Sequence, residues 1–328
     1  MTTNLISNLT SQQQSLAIIL SEQKQMSTLQ QQLASGKKAT DISQLDPTDT
    51  RRLLDLRAQE SQRTAYQQTI ATVQARTGAQ DQGLTTIGNI ASQMLDFIGQ
   101  ASNFSVSNGE NLSAQATGYL QQVQSVLNQQ VDGRYLYAGS RYTTQPVTDL
   151  KSLLTTDNPP SQPYPYTAAT TPALAYYDTE AVAGTATDAK AYDQSSAIID
   201  NNVTATYGIS SNDPAFQNLV LGLRWAYAAS QDQTNYSADM QKAQALISTA
   251  QNQLTGLQAA NAVNQNLLKT TNDNHTTYLA ALQGDEDTLQ KADSNAVAAQ
   301  ITALESQIEA SYTVTAKIAN LSLANYLS

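Results

Sequence analysis

Two long stretches of the chain repeat their apolar residues in alternating steps of four and three. The first frame runs through Tyr66, Ile70, Val73, Thr77, Gln80, Leu84, Ile87, Ala91, Met94 and Ile98, and only Thr77 and Gln80 are polar. The second runs from Tyr236 through Met240, Ile247, Leu254, Leu257, Leu268, Tyr278, Leu282 and Leu289 to Ala296, and also holds Asn261, Asn264, Thr271, His275 and Asp285. A repeat near 3.5 residues predicts helices that pack as in a left-handed coiled coil. Polar residues within such a seam weaken it but fix its register. The two ends carry shorter stripes, Leu5, Leu9, Leu16, Ile19, Met26 and Leu33 at the start, and Val297, Ile301, Leu304, Ile308, Ile318 and Leu321 at the close. None of these helices can bury its stripe alone. Either the stripes meet within the chain as a bundle, or they are assembly surfaces completed by neighbouring subunits.

Proline placement divides the sequence. Pro47 stands alone in the first 145 residues, Pro146, Pro159, Pro160, Pro163, Pro165, Pro172 and Pro214 crowd the middle, and none follows. Proline in a helix interior costs about 3 kcal/mol, so two helical arms flank a proline-rich middle. Gly36 reads as the stop of the first helix. Asp46 and Pro47 read as N-cap and first residue of the next, with Asp49 near the positive end of its dipole. The stretch from Gly99 to Gly109 predicts a break before a helix carrying Leu112, Leu120, Val123, Leu127 and Val131, which Asp132-Gly133 should end. The segment "RYLYAG" that follows favours a short hairpin or extended strand. Residues 146–214, with two lysines against eight acids, suggest a small β-rich, surface-facing domain, with 155–172 irregular or polyproline-like. After Pro214 a helix should return with Phe216, Leu219, Val220, Leu223 and Tyr227 on one face.

Composition removes several chemistries. The 328 residues carry a formal net charge of −10 and no cysteine, so disulfides, thiolate metal sites and cysteine nucleophiles are excluded. No basic face for duplex nucleic acid is visible. The longest apolar runs, such as "LAIIL" at 16–20, are too short to span a membrane. No Lys or Arg precedes Lys24, so the charged start of a cleaved secretory signal is missing. His275 is the single histidine, which rules out a two-histidine metal site, and its place in the heptad frame favours a structural role. "GAQDQG" at 78–83 has the glycine spacing of a phosphate-binding loop, but Leu84 stands where lysine is required. Asp285, Glu286 and Asp287 read as a solvated helical face, and Trp225 with Tyr227 as helix packing. No catalytic, cofactor or metal residues are assigned, and the reading is non-enzymatic.

Four segments carry a resemblance to a known family: "LQQQLASGKKATDISQLDPTDTRRLLDLR" (29–57), "GRYLYAGSRYTTQPV" (133–147), "FQNLVLGLRWAY" (216–227) and "LESQIEASYTVTAKIANLSLANYL" (304–327). They resemble the flagellin superfamily and, within it, the hook-associated protein 3 type of hook–filament junction protein. The second resembles that family's Gly-(Arg)-Tyr-Leu-Phe-Ala-Gly strand on Gly133, Arg134, Tyr135, Leu136, Tyr137, Ala138 and Gly139, with Tyr137 in place of phenylalanine. The likeness covers both arms and not the middle. It implies a mainly α fold, with N- and C-terminal helices paired in a long coiled-coil-like bundle and a small β-rich domain inserted between. The expected domains are 1–46 with 297–328 as the inner assembly domain, 47–147 with 214–296 as a helical rod bearing a hairpin at 133–147, and 148–213 as the exposed domain. The tyrosines of 135–142 are expected to anchor the hairpin on the bundle.

The resemblance further implies a secreted structural subunit of the bacterial flagellum that binds no cofactor. Its implied partners are flagellin, a hook-associated protein 1 type junction protein, further copies of itself in a ring or helical tube, and an export chaperone on the C-terminal helix; nucleic acid and membrane insertion are not among them. Three other readings stand beside it: a filament flagellin, a glycan-binding or enzymatic module in the middle domain, and an intracellular coiled-coil scaffold.

Overall fold

A computed structural model describes residues 2–327 except 40, 102–104, 140–141, 148, 157 and 161–193. The chain is mainly helical, its N- and C-terminal helices are in contact, and small β-hairpins lie in the middle. In order come α1 (Thr2–Ser35), a 3-10 turn (Ile42–Gln44), α2 (Pro47–Gln100), α3 (Val106–Leu127), β1 (Gln130–Val131), β2 (Arg134–Tyr135), α4 (Leu153–Thr156), β3 (Ser195–Asp200), β4 (Val203–Tyr207), α5 (Pro214–Gln231), α6 (Tyr236–Gln290) and α7 (Ser294–Leu327). Contacts divide the chain into two compact units, one of residues 1–62 and 277–328, the other of residues 63–276.

The punctuation residues act where the sequence places them. Gly36 ends α1 at φ +68°, a conformation that costs a side chain but not glycine. Asp46 Oδ1 accepts the Thr48 N–H at 2.8 Å and so caps α2. Ser105 caps α3 through its hydroxyl, which accepts from Asn108 N at 3.0 Å. Asp213 caps α5 ahead of Pro214, accepting from Ala215 N at 2.9 Å. The second arm is not one continuous helix. Asp232 Oδ1 accepts from Thr234 N at 2.8 Å and turns the chain between α5 and α6, and Asp293 caps α7 in the same way, accepting from Asn295 N at 3.0 Å.

The unit of residues 63–276 holds the main core. Every apolar position of the first frame from Ile70 to Ile98 is buried, and Tyr66 is half-buried. Those from Leu84 to Ile98 pack with Leu112, Leu120, Val123 and Leu127 of α3, Phe216, Leu219, Val220 and Leu223 of α5, and Met240, Ile247 and Leu254 of α6. Full burial of each such side chain is worth about 1.5–3 kcal/mol. Gly222 lets α5 and α6 approach, because a Cβ there would meet Ile247 Cγ1 at 2.5 Å and the Ala243 carbonyl at 3.2 Å.

The polar residues of the seam are bonded rather than merely tolerated. Asn261 Nδ2 and Gln265 Nε2 both donate to the Thr77 carbonyl, at 2.9 and 3.1 Å. His275, 1% exposed, donates from Nε2 to the Ile199 carbonyl at 2.7 Å. That leaves Nδ1 to accept from Arg63 Nη1 at 3.3 Å, and the ring stacks on Tyr66 at 5.5 Å. His275 is thus structural: it pins the β3–β4 hairpin to the helices. Arg63 pairs with Asp200 at the hairpin end, and Ile199, Ala205 and Tyr207 pack on Ile70, Val73 and Leu268.

The structure corrects one expectation here. α3 ends at Leu127, with Asn128 as its C-cap, so Asp132-Gly133 does not end a helix; it makes a hairpin turn. Of the middle segment, the described residues hold one helical turn, α4, and one antiparallel hairpin, β3–β4, with Ser195 opposite Tyr207. The irregular stretch expected at 155–172 falls mostly outside the described residues.

Candidate functional site

Two surfaces carry the residues singled out in the sequence. The first is the terminal hairpin of α1 and α7, within the unit of residues 1–62 and 277–328. Its root is stapled by main chain: Ala292 N donates to the Gly36 carbonyl at 2.8 Å and Lys38 N to the Gln290 carbonyl at 2.7 Å. Lys37 and Lys291 form an isolated antiparallel bridge between the same two breaks. Above this staple Leu29, Ala292, Val297 and Leu304 are buried together, flanked by half-buried Met26, Ile301 and Ile308.

Further along, the seam turns polar. Glu22, 5% exposed, accepts at Oε1 from the Ser311 hydroxyl at 3.2 Å, while its Oε2 is buried with no partner. Gln23 Nε2 donates to the Tyr312 hydroxyl at 2.9 Å. Ser15, Thr315 and Ile318 are half-buried.

Among the expected interface residues, Ile19 is buried and Met26, Ile301, Ile308 and Ile318 are half-buried or partly packed, while Val297 and Leu304 are buried. Leu16 and Leu33 turn outward at 51% and 43% exposure. The side chains of Leu5, Leu9 and Leu321 lie outside the described residues. Beside Leu16, the hairpin also exposes Ile18, Leu20, Tyr312 and Val314. Leu29 and Glu22 were absent from the sequence stripe, which followed every seventh residue from Ile19. Leu29, three residues beyond Met26, was legible as the other half of the heptad.

The second surface is the segment 133–139. Asp132 (φ +52°) and Gly133 (φ +71°) form a two-residue turn with both central residues left-handed, the geometry that matches strand twist. It pairs Gln130 with Tyr135 and Val131 with Arg134. The strands are only two residues long. Leu136, Tyr137 and Ala138 then dive into the core. Tyr137 stacks edge-on against Phe216 at 5.7 Å and donates its hydroxyl to the Gln80 carbonyl at 3.3 Å. Gly83 makes room for that hydroxyl, which a Cβ at 83 would overlap. Burial, reinforced by the charge of Asp81, pushes the Tyr137 hydroxyl well above the usual phenol range. Gln80 Nε2 donates to the Leu136 carbonyl at 2.8 Å, and Ser211 N to the Tyr137 carbonyl at 2.8 Å. Tyr137 is therefore the anchor, whereas Tyr135 is half-buried and Tyr142 exposed, with Arg134 over its ring at 4.3 Å.

Among the described residues no group of three or more His, Asp or Glu could hold a metal ion. Glu286 of the acidic cluster pairs with Arg57 at 2.9 Å, and no helix among the described residues is long and apolar enough to cross a membrane.

No protein-family model and no curated protein matches this sequence. Its fold is similar to a solved structure from Vibrio parahaemolyticus, described under a provisional assignment as a flagellar hook-associated protein. The TM-score is 0.58 at 17% identity, over 76% of this chain and 100% of that one.

Proposed function

We propose that this chain is a secreted structural subunit of the bacterial flagellum that joins the hook to the filament by polymerising through its terminal helices. The observation that carries the reading is the α1–α7 hairpin, which pairs the two ends of the chain yet leaves Leu16, Ile18, Leu20, Leu33, Tyr312 and Val314 roughly half-exposed. The fold likeness to a protein described as flagellar and hook-associated supports it, as do the four segments quoted above.

The energetics favour many neighbours over one. Covering the remaining half of six such side chains is worth on the order of 5 kcal/mol. Association of two bodies costs about 4–15 kcal/mol in lost freedom. A single pairing through this patch is therefore weak, and a helical tube, where each hairpin meets several copies, is the arrangement that stabilises it. Low charge suits that role: Glu22 is the only charged side chain in residues 1–23, and Lys317 the only one in 310–328. In this reading one end of the subunit meets a hook-associated protein 1 type junction protein and the other meets flagellin, and an export chaperone holds the C-terminal helix before secretion.

Deleting the gene in its flagellated host is the test. Hooks without filaments, with flagellin shed into the medium, are expected. Normal filaments refute the junction role. A subunit present in thousands of copies per filament would instead favour the filament flagellin reading.

A further inference from the structure

We infer that a cavity at the root of the middle segment binds a carboxylate-bearing sugar residue, a hexuronate. The cavity measures about 290 Å³ and is lined by Arg76, Gln80, Arg134, Tyr135, Tyr142 and Tyr207, with Ser195 and Ser196 beside them. It lies wholly within the unit of residues 63–276. Small-molecule sites run from roughly 300 to 1,000 Å³, so this one holds a single ring.

The charge is the first argument. The protein is acidic, with 27 Asp and Glu against 17 Lys and Arg. Arg57, Arg63 and Lys242 each pair with a carboxylate. Arg76 and Arg134 make no ion pair among the described residues, yet both line this one cavity. Two guanidinium forks with no carboxylate partner among the described residues match an incoming carboxylate.

The second argument is a matched pair of orphans. The Arg76 Nε–H is buried without an acceptor, and the Gln80 Oε1, on a residue 2% exposed, is buried without a donor. The Gln80 amide cannot be turned to relieve this, because its Nε2 is committed to the Leu136 carbonyl at 2.8 Å. Each orphan destabilises the empty site until it is satisfied. A bare anion satisfies Arg76 and leaves Gln80 wanting. A ligand with both an oxyanion and hydroxyl donors satisfies both. Tyr207, whose hydroxyl accepts from Arg76 Nη1 at 3.1 Å, keeps its own proton free to donate. The ring of Tyr135 supplies an apolar face of the kind a sugar's C–H face packs on, while the ring of Tyr142 carries the Arg134 guanidinium at 4.3 Å.

This site is independent of the assembly reading, and the two fail separately. The test uses the full chain and calorimetric titration with methyl galacturonide, methyl galactoside, inorganic phosphate and polygalacturonate. The uronide should bind at least about tenfold more tightly than the neutral galactoside, as expected for hydrogen bonds to a charged group. Arg134→Gln, at an exposed position that leaves the core intact, and Arg76→Gln should each erase that preference, while Lys269→Gln, far along α6, should not. Polygalacturonate binding more tightly per residue assigns the site to a polysaccharide, and weaker binding assigns it to the free sugar. Equal affinity for the uronide and the galactoside, no binding of either, or unchanged binding in both arginine variants overturns the proposal. Phosphate binding as tightly as the uronide overturns the sugar assignment as well.

Discussion

Gly83→Ala should change sign with the identity of residue 137. In the native chain an added Cβ on α2 overlaps the Tyr137 hydroxyl and sits 3.1 Å from Val126 Cγ1. The ring cannot retreat: it is fully buried, edge-packed on Phe216, and its main chain is held by Ser211 N at 2.8 Å and by Leu136 N on the Gln129 carbonyl at 3.0 Å. Alanine gains about 1 kcal/mol over glycine in helix propensity, but overpacking costs about 1–3 kcal/mol and here falls on a pinned oxygen. The expected net loss is about 1–2 kcal/mol. Tyr137→Phe alone loses one long hydrogen bond, about 0.5–1.5 kcal/mol. In that background the next ring atom, Cζ, stands 3.4 Å from the added Cβ, an ordinary contact. Gly83→Ala should then be neutral or stabilising by up to about 1 kcal/mol. The coupling between the two sites is about 1–3 kcal/mol. Urea unfolding followed by fluorescence of Trp225, the only tryptophan and one packed against this same core, reads all four corners of the cycle. Equal loss from Gly83→Ala in both backgrounds would refute the notch-and-hydroxyl argument.

Three further outcomes follow from the same geometry. Burial holds the Tyr137 proton in the folded state after the unfolded chain would lose it, so stability of the 63–276 unit should fall as pH rises above about 10, by up to about 1.4 kcal/mol per pH unit; Tyr137→Phe should remove most of that slope, and half-buried Tyr119 and buried Tyr236, also raised, should account for the rest. His275→Phe keeps the stack on Tyr66 but strips the Ile199 carbonyl of its donor, so amide exchange across residues 195–207 should accelerate by roughly tenfold or more, with α3 and α5 unchanged; unchanged exchange in the hairpin would show that His275 does not hold it. Glu22→Leu removes a buried carboxylate with one unpaired oxygen, and helicity of the terminal hairpin by circular dichroism should survive about 1–3 kcal/mol further into urea; earlier melting would mean that the carboxylate is a net support.

Periodicity made the first helical frame legible almost residue by residue, because α2 is buried along one stripe by partners on a single side. From Ile70 to Ile98 each position of the frame is buried, including the polar Thr77 and Gln80. The second frame was legible as far as Leu289, with Tyr278 turning outward at 43% exposure and Ala296 exposed beyond the break at 291–293. What the pattern could not convey is depth. Gly133, Tyr135 and Tyr137 look alike as a β signal, yet only the contact with Phe216 and the vacancy at Gly83 decide that Tyr137 enters the core. The end of α3 was misplaced because Val131 continues its apolar stripe, while the register of β1 with β2 depends on a turn that reads equally as a helix stop. The cavity at Arg76 and Arg134 was invisible for a different reason. Its walls come from residues 58 positions apart in the chain and from a hairpin whose docking no local signal encodes.

The polar positions of the two helical seams have opposite consequences, and the difference lies in which backbone acceptors face them. Around Asn261 the Thr77 carbonyl of α2, and around His275 the Ile199 carbonyl of β3, meet side chains of the right reach. Those polar groups cost little and fix one register, since a slip of one residue would orphan each of them. In the terminal hairpin α1 packs on α7, and among the described residues the second oxygen of Glu22 finds no partner. The seam is apolar around Leu29 and is interrupted by the carboxylate of Glu22, while Ile19 beyond it is again buried. The outward leucines at 16, 20 and 33 leave apolar area that only a covering partner would bury. Under the assembly proposed above, partners that cover this face would order the hairpin in proportion to their concentration.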